Sequence, residues 1–353
     1  MANVSVSAST PTASVQAQLY AKDVWREARV NSFWKNMMGQ GPNNVIQVKN
    51  DFAKQKGDAI NYDLFPDLTS RGFAGSNAQT LEGDEESVTI RVDTVLLDQL
   101  RHAMRVAGKL DEQRAAIELR PEMKSNLAYW WTRRMDDIIF KKLSGTTYTD
   151  ADSATFGEAA TANTHVLYGG SKLAKNELTS SDTFTLDLLR KAKTIAKTGV
   201  RGSTTIWRMR PMNINGKPYY GCVLHPYHIF DLQGSQAWEQ AQREAGLRGA
   251  ENPIFSGAIG IWNGIVLYEH DLVVTGSNAG PGADQPYADA LFFGLQAGMF
   301  AEAQENPSWV EKQFDYDNQW GVATDMIFGF DKTTFNSQDF AVIKLQTYAA
   351  NPA

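Results

Sequence analysis

The sequence predicts an α+β fold, and three patterns carry that prediction. Residues 58–64 and 86–93 alternate apolar and polar side chains, which is typical of strands with one covered face. Residues 121–143 place apolar side chains three and four positions apart, which indicates one long amphipathic helix. Residues 309–348 return to strand-like patterns. The length of 353 residues allows one large domain or two to three ordinary ones.

The composition excludes several classes of protein. With 42% hydrophobic and 21% charged residues, the chain can bury a substantial core, so wholesale disorder is excluded. The sequence has no run of about 18 apolar residues, so no membrane-spanning helix is expected. A net charge of -6 without a basic block is not typical of a dedicated nucleic-acid reader. The single cysteine, Cys222, excludes an intrachain disulfide and a cysteine-built zinc site.

The N-terminal part of the sequence is predicted to form an arm. Residues 1–15 carry no charge and no helical period, so we expect order there only where a partner holds them. Residues 17–38 fit one or two short amphipathic helices. In this segment Trp25 and Trp34 have two open interpretations, because exposed aromatics mark an interface whereas buried ones belong to the core of the same chain.

The two alternating segments predict a two-stranded ribbon with a long tip. Residues 66–85 between them are polar, contain glycines and lead into the acidic run 82–86. Because an isolated two-stranded ribbon is marginal in water, this ribbon needs a surface to lie on, supplied by its own chain or by a neighbouring subunit.

The clearest helix is the one at 121–143. Pro121 suits its first turn, and Ser144-Gly145 is a typical stop. The apolar stripe includes Trp130 and Trp131, which we interpret as core residues.

The remaining segments give shorter predictions. Residues 100–106 fit a strand or a helix, and 145–181 are loop-like. Asp182 is expected to cap a helix at 183–198. Further predicted elements are a short helix at 111–119, strands at 219–224, 265–268 and 290–293, and helices at 226–232 and 235–245.

Residue types that carry chemistry give weak signals. His225 and His228, with His270, have some of the spacing of a metal site, but a proline separates the first two and no third ligand is fixed. Turn histidines with local hydrogen bonds are therefore favoured. Cys222 is interpreted as a small buried hydrophobe rather than a nucleophile. No phosphate-binding loop and no nucleophile elbow occurs in the sequence.

The order of these parts resembles a tailed-phage major capsid protein of the HK97 fold, in the N4 gp56-like major capsid family. The similarity covers most of the chain. The segments that carry it are 31–34 (NSFW), 56–64 (KGDAINYDL), 81–86 (LEGDEE), 222–226 (CVLHP) and 252–260 (NPIFSGAIG).

The resemblance implies a division of the chain into named parts. These are an N-terminal arm at 1–50, an extended β-hairpin or E-loop at 51–96, a P-domain at 97–180 with the spine helix 121–143, a mixed α/β A-domain at 181–306, and returning P-domain strands at 307–353. Some relatives of this fold form a lysine–asparagine cross-link, but no such pair is identified in this sequence.

The function that the resemblance implies is self-assembly into hexamers and pentamers of an icosahedral phage head. The expected partners are further copies of the chain, scaffolding, portal and decoration proteins, and packaged double-stranded DNA by non-specific proximity. The protein would belong to the virion capsid, assembled in the bacterial host cytoplasm, with no membrane, catalytic residue, cofactor or metal. The candidate inter-subunit contacts are Trp25, Phe33, Trp34, Phe65, Arg71, Phe73, Glu82, Asp84 and Glu85.

Two alternatives remain open. One is an encapsulin-like nanocompartment shell of the same fold. The other is a metal-dependent hydrolase that uses His225, His228 and His270.

Overall fold

The structure is a computed structural model, and it describes residues 23–24, 26–28, 31–50, 58–64, 91–114, 119–150, 153–202, 204–214, 216–236, 238, 258–303 and 308–352. The helices are α1 (Lys109–Arg114), α2 (Leu119–Leu143), α3 (Leu186–Thr198) and α4 (Pro226–Gln233). Short 3-10 helices lie at Phe33–Met37, Gly169–Ser171 and Lys175–Glu177. The strands are β1 (Met38–Gly39), β2 (Ile46–Lys49), β3 (Ala59–Leu64), β4 (Arg91–Leu96), β5 (Asp98–Arg105), β6 (Val166–Tyr168), β7 (Val200–Arg201), β8 (Thr204–Thr205), β9 (Met212–Ile214), β10 (Lys217–Leu224), β11 (Ala258–Trp262), β12 (Ile265–Glu269), β13 (Thr275–Ala279), β14 (Gln285–Phe293), β15 (Gly298–Glu302), β16 (Ser308–Phe314), β17 (Gln319–Lys332), β18 (Thr334–Phe335), β19 (Gln338–Asp339) and β20 (Val342–Tyr348).

The long strand β17 organises a six-stranded sheet. It pairs antiparallel with β16, β5 and β15 along its 14 residues, and β2 and β1 extend the sheet beyond β15. The segment 100–106, which fits a strand or a helix by pattern, is therefore part of a strand, because its backbone groups pair with β17.

The second sheet has eight strands in the order β11-β12-β10-β14-β20-β6, with β9 on β10 and β13 on β14. Residues Ala288–Phe293 of β14 are all buried. Alternate residues face two different cores, since Phe292 packs with helices α3 and α4 whereas Leu291 and Phe293 pack in the core that contains α2. A sheet covered on both faces explains why its strands read as continuous apolar runs.

Helix α2 packs against β17 to form the main core. Trp131 is fully buried, and its indole N–H donates to the Thr324 hydroxyl of β17. Met326 and Phe328, at alternate positions of β17, are also 0% exposed. The predicted helix at 121–143 is confirmed, and it begins two residues earlier than expected. Trp130 is half-buried and stacks on His102 with ring centroids 4.3 Å apart.

The N-terminal segment is fixed to α2 through one buried carboxylate. Asp136 accepts hydrogen bonds from the Ser32 hydroxyl at 2.6 Å and from the Phe33 backbone N–H at 3.1 Å. One turn earlier in α2, the Thr132 hydroxyl donates to the backbone oxygen of Ala28. Burial raises the pKa of Asp136 to about 6 although both hydrogen bonds lower it.

A fully buried ion pair closes the C-terminal part of the fold. Lys332, at the end of β17, lies 2.7 Å from Asp339 of β19, and both side chains are 1% exposed. Asp339 also accepts a hydrogen bond from the backbone N–H of Thr164 at 2.8 Å. The pair therefore joins β17 to the chain that leads into β6.

Two local predictions are wrong. Helix α3 begins at Leu186 with Thr185 at its N-cap, because the Asp182 carboxylate instead accepts from the backbone N–H and hydroxyl of Thr179, both at 2.8 Å. The segment 145–181 is not all loop, because β6 pairs in parallel with the distant β20. Three residues are too few to show an alternating pattern.

Four of the other predicted elements lie at their expected positions, whereas the helix predicted at 111–119 is described only in part, since α1 covers 109–114 and residues 115–118 lie outside the described residues. Strands β10, β12 and β14 and helix α4 cover the predicted segments. The predicted helix 235–245 lies almost entirely outside the described residues. Within the described part of the chain, every helix is too short or too polar to cross a bilayer.

Replacing Trp131 by Ala tests the seam between α2 and β17. Because the indole is 0% exposed and hydrogen-bonded, we expect Trp131→Ala to lower the free energy of unfolding by about 3–5 kcal/mol. Tyr129 on the same helix is 63% exposed, so Tyr129→Ala should have a much smaller effect. Urea unfolding of the unassembled subunit measures both, and equal losses would contradict the assignment of Trp131 to the core.

The pH dependence of stability tests the Asp136 site. Since the folded state raises the pKa of Asp136 from 3.8 to about 6, the folded state binds the proton more tightly than the unfolded state does. Its contribution to the free energy of unfolding is full below pH 3.8 and is lost as the pH rises through about 6. Asp136→Asn should therefore gain stability relative to the unmodified chain as the pH rises over this range. A pH-independent difference would refute this account.

Candidate functional site

The candidate contact residue Trp34 lies inside its own chain. It is 0% exposed, and its ring centroid is 5.1 Å from that of Phe140 and 5.5 Å from that of Phe293. Its assignment as an inter-subunit contact is therefore wrong, and the alternative of packing within the chain holds. The hydrogen bonds to Asp136 fix the preceding residues on α2, and Trp34 follows them into the core.

Phe33 occupies an intermediate position. Its ring contacts Phe140, Tyr268 and His270 at centroid distances of 5.6, 5.6 and 5.1 Å, and the side chain is half-buried. Much of this ring is therefore used within the subunit. A contact between its exposed part and another subunit stays a prediction.

The other candidate contacts from the sequence fall outside the described residues. They are Trp25, Phe65, Arg71, Phe73, Glu82, Asp84 and Glu85.

The base of the hairpin β3–β4 lies on its own subunit. Ile60, Tyr62 and Val95 are buried against Met299 and Ala301 of β15. The Tyr62 hydroxyl donates to the backbone oxygen of Phe300 at 2.6 Å. The chain itself therefore supplies the surface that one face of this ribbon needs.

Strand β4 is also held by contacts at Asp93 and at Leu96. The Asp93 carboxylate accepts from the backbone N–H of Thr334 at 2.9 Å and from its hydroxyl at 3.2 Å. Near the other end, Gly329 of β17 lies so close to the backbone oxygen of Leu96 that a Cβ would overlap it. A side chain at position 329 would push the hairpin away from the sheet.

The opposite face of the hairpin carries exposed apolar side chains. Val92 is 57% exposed and Leu96 is 39% exposed, with the exposed Thr94 between them. Val92 is not on the face that its own chain covers, because that face is formed by Tyr62, Val95 and their neighbours. Alternation reveals that a strand has two different faces, but not which one its own chain covers.

The candidate metal-binding histidines have separate structural contacts. The His225 ring accepts from the backbone N–H of Tyr227 at 3.2 Å, as expected for a helix start, and the His270 ring accepts from that of Leu272 at 3.1 Å. His228 differs from the expectation of a local bond, because its ring lies 2.9 Å from the hydroxyl of Thr347 on β20. Burial lowers the pKa of His228 to about 3. Among the described residues, no group of three His, Cys, Asp or Glu side chains is arranged to hold a metal ion.

Cys222 is fully buried in β10 among the residues that pack against α3 and α4. Burial raises the pKa of the thiol, which keeps it protonated and poorly nucleophilic. The interpretation of Cys222 as a small hydrophobe is confirmed.

Sequence comparison places the chain among viral shell proteins. A family model described as phage capsid protein matches residues 5–351. The major capsid protein of Pseudomonas phage KPP25 is 30% identical, and the alignment covers 95% of each chain.

Solved structures agree with this comparison. The capsid of Ralstonia phage GP4 has a TM-score of 0.82 and 32% identity, covering 91% of this chain and 92% of the other. The capsid of cyanophage Pam1 has a TM-score of 0.70 at 20% identity, covering 93% and 94%, which supports the fold. The predicted α+β fold of HK97-like capsids is thereby confirmed. Because the family model spans almost the whole sequence and a relative aligns over 95% of it, the chain belongs to the phage capsid protein family.

Proposed function

We propose that this chain is the major capsid protein of a phage, and that it assembles as hexamers and pentamers into an icosahedral head around double-stranded DNA. The observation that carries the assembly step is the outward face of the hairpin, on which Val92 and Leu96 are exposed. Burial of apolar surface stabilises an assembly by roughly 25 cal/mol per Å². In this proposal a second copy of the chain buries the exposed face of the hairpin. Such a contact, repeated by rotation, closes rings and then a shell.

The division into arm, hairpin, P-domain and A-domain belongs to the same proposal. The way in which the hairpin is attached supports this division, because the hairpin base packs on β15 through a small hydrophobic core of its own. The body is more continuous than the division implies, because β2 at 46–49 pairs with β15 and β14 of the A-domain segment pairs with β20. Val24 and Ala28 are 0% exposed, so we expect the arm from about residue 23 to residue 49 to dock with the body, while the part before it and the hairpin tip reach neighbours.

The electrostatics are consistent with a container. A net charge of -6 favours enclosing DNA without gripping it, because tight DNA binding requires cations at the phosphates. Scaffolding, portal and decoration proteins are proposed as further partners. No catalytic step and no cofactor enters the proposal. The named relatives are phage proteins, which favours a phage head over a nanocompartment.

Expression of the chain tests the proposal directly. We expect closed shells of uniform size by negative-stain electron microscopy, with the chain alone or with its scaffold. Small species under every condition would refute the shell function.

Deletion of residues 66–85 tests the hairpin tip. The buried base of the hairpin remains in this variant, so the subunit should fold and unfold like the full chain while shell formation is lost or weakened. Circular dichroism and sedimentation measure the two properties. Loss of subunit folding would place the deleted residues in the core.

A single substitution tests the outward face. Val92→Asp puts a charge where we expect a neighbour, and losing the burial of one such side chain costs about 1.5–3 kcal/mol, or roughly tenfold or more in an association constant. Ser125→Asp is the control, because Ser125 is an exposed polar residue of α2 and its replacement removes no apolar surface. Equal shell yields for the two variants would remove Val92 from the interface.

A further inference from the structure

The outer face of the sheet around β17 carries an apolar groove. Cross-strand pairing sets Ala103 of β5, Ala323 of β17 and Val310 of β16 side by side, on the face opposite the core residue Val322. Val310 is 55% exposed. The depression has a volume of about 270 Å³, and we call it the sheet groove; its other lining residues include Arg105, Lys312, Phe314 and Gly321.

Two cations stand over an aromatic ring in the sheet groove. The Arg105 guanidinium carbon lies 5.3 Å and the Lys312 Nζ 5.0 Å from the centroid of the Phe314 ring. Within the described part of the chain, neither cation lies within ion-pair distance of a carboxylate. An apolar floor flanked by two uncompensated positive charges fits a partner that presents an apolar group together with negative charge.

The turn between β16 and β17 presents an apolar group together with negative charge. Asp315, Tyr316 and Asp317 connect β16 to β17, and all three have left-handed backbone angles, with φ of 51°, 50° and 66°. Such angles cost of order 1–3 kcal/mol for each non-glycine residue, and they persist only where the surrounding structure or a bound partner stabilises them. The Tyr316 side chain is fully exposed, at 103%. The isolated subunit therefore holds an aromatic ring in water, between two carboxylates, at the cost of backbone strain.

We infer that the turn 315–317 of one copy docks in the sheet groove of a neighbouring copy. The Tyr316 ring would cover Ala103 and Val310, and the flanking carboxylates would face Arg105 and Lys312. Each copy carries one turn and one groove, so the contact can repeat around a ring or across a pair of copies. This inference rests on the proposed shell function, because it requires neighbouring copies. The acidic run 82–86 is the competing source of negative charge.

Cysteine cross-linking tests the contact. The only native cysteine, Cys222, is fully buried, so introduced thiols are the accessible ones. Shells are formed from co-expressed Tyr316→Cys and Val310→Cys chains, oxidised, and separated on a non-reducing gel. We expect a disulfide-linked dimer in the mixture and little in either variant alone. Shells in normal yield without the mixed dimer would overturn the inference, as would equal dimer in Tyr316→Cys alone, which would place turn against turn.

A charge reversal identifies the occupant. Lys312→Glu should reduce shell yield about tenfold or more, because the contact is repeated in every copy. Adding Asp317→Lys in the same chain should restore it. Lys217→Glu, at another exposed lysine, should leave the yield unchanged. Thermal unfolding of the unassembled variants shows whether each subunit folds.

The outcomes separate this contact from the shell function itself. Normal shells with Lys312→Glu would overturn the docking of 315–317, while the shell function would stand. The yield lost with Lys312→Glu can also be tested against Glu82→Lys, Asp84→Lys and Glu85→Lys. Rescue by these changes and not by Asp317→Lys would overturn the inference, because it would show that the hairpin tip of a neighbour occupies the sheet groove. Failure of the unmodified chain to form shells would refute the shell function.

Discussion

The apolar seam between α2 and β17 is the contact on which the attachment of the N-terminal segment and of the hairpin depends. Trp131 and Thr324 bridge it by a hydrogen bond, and Met326 and Phe328 bury their side chains in it. The N-terminal segment and the hairpin, which are the parts that we propose to contact other copies, are both attached to this unit of α2 and β17. Helix α2 holds the N-terminal segment through Asp136, and β17 holds the hairpin backbone close at Gly329. A shift of α2 along β17 would therefore displace the N-terminal segment relative to the hairpin.

Buried charges fix parts of the fold that apolar packing alone leaves open. Lys332 and Asp339 form a pair without solvent, and Asp289 lies 3.2 Å from Lys344 and accepts from Gln346 at 2.7 Å. Removing one partner of such a pair is costly because the other charge stays buried, although an apolar pair of the same shape can be as stable. The contacts of Asp289 join β14 to the distant β20, and Asp339 also holds the backbone of Thr164, so we interpret these charges as contacts that select one strand arrangement over others.

The sequence predicted elements whose signal is local. The helix at 121–143 follows from its own periodicity and stop signals, and the strands β10 and β14 follow from short apolar runs between turns. Segment 100–106 stayed ambiguous because only pairing with β17, more than 200 residues later, makes it a strand. Strand β6 was missed for the same reason, since its partner is β20.

The candidate contacts were harder to predict than the fold. Trp34 and Val92 are both apolar residues of amphipathic segments, yet one is fully buried and the other 57% exposed. Burial depends on which distant surfaces meet, and a single sequence does not contain that information. Tyr316 gave no signal because its exposure and left-handed backbone are properties of the folded turn.

The pairing of β17 has a mechanical consequence for a shell under internal pressure. A pull on the turn 315–317 runs along β16 and β17, which are paired to each other over residues 308–314 and 319–325 and to β5 over residues 321–328. A load along the strands shears many hydrogen bonds at once, whereas a load across them would open the ladder one bond at a time. The turn is thus the end of two paired strands that are anchored in the sheet, and this arrangement suits it to carry tension between shell subunits without loss of strand pairing.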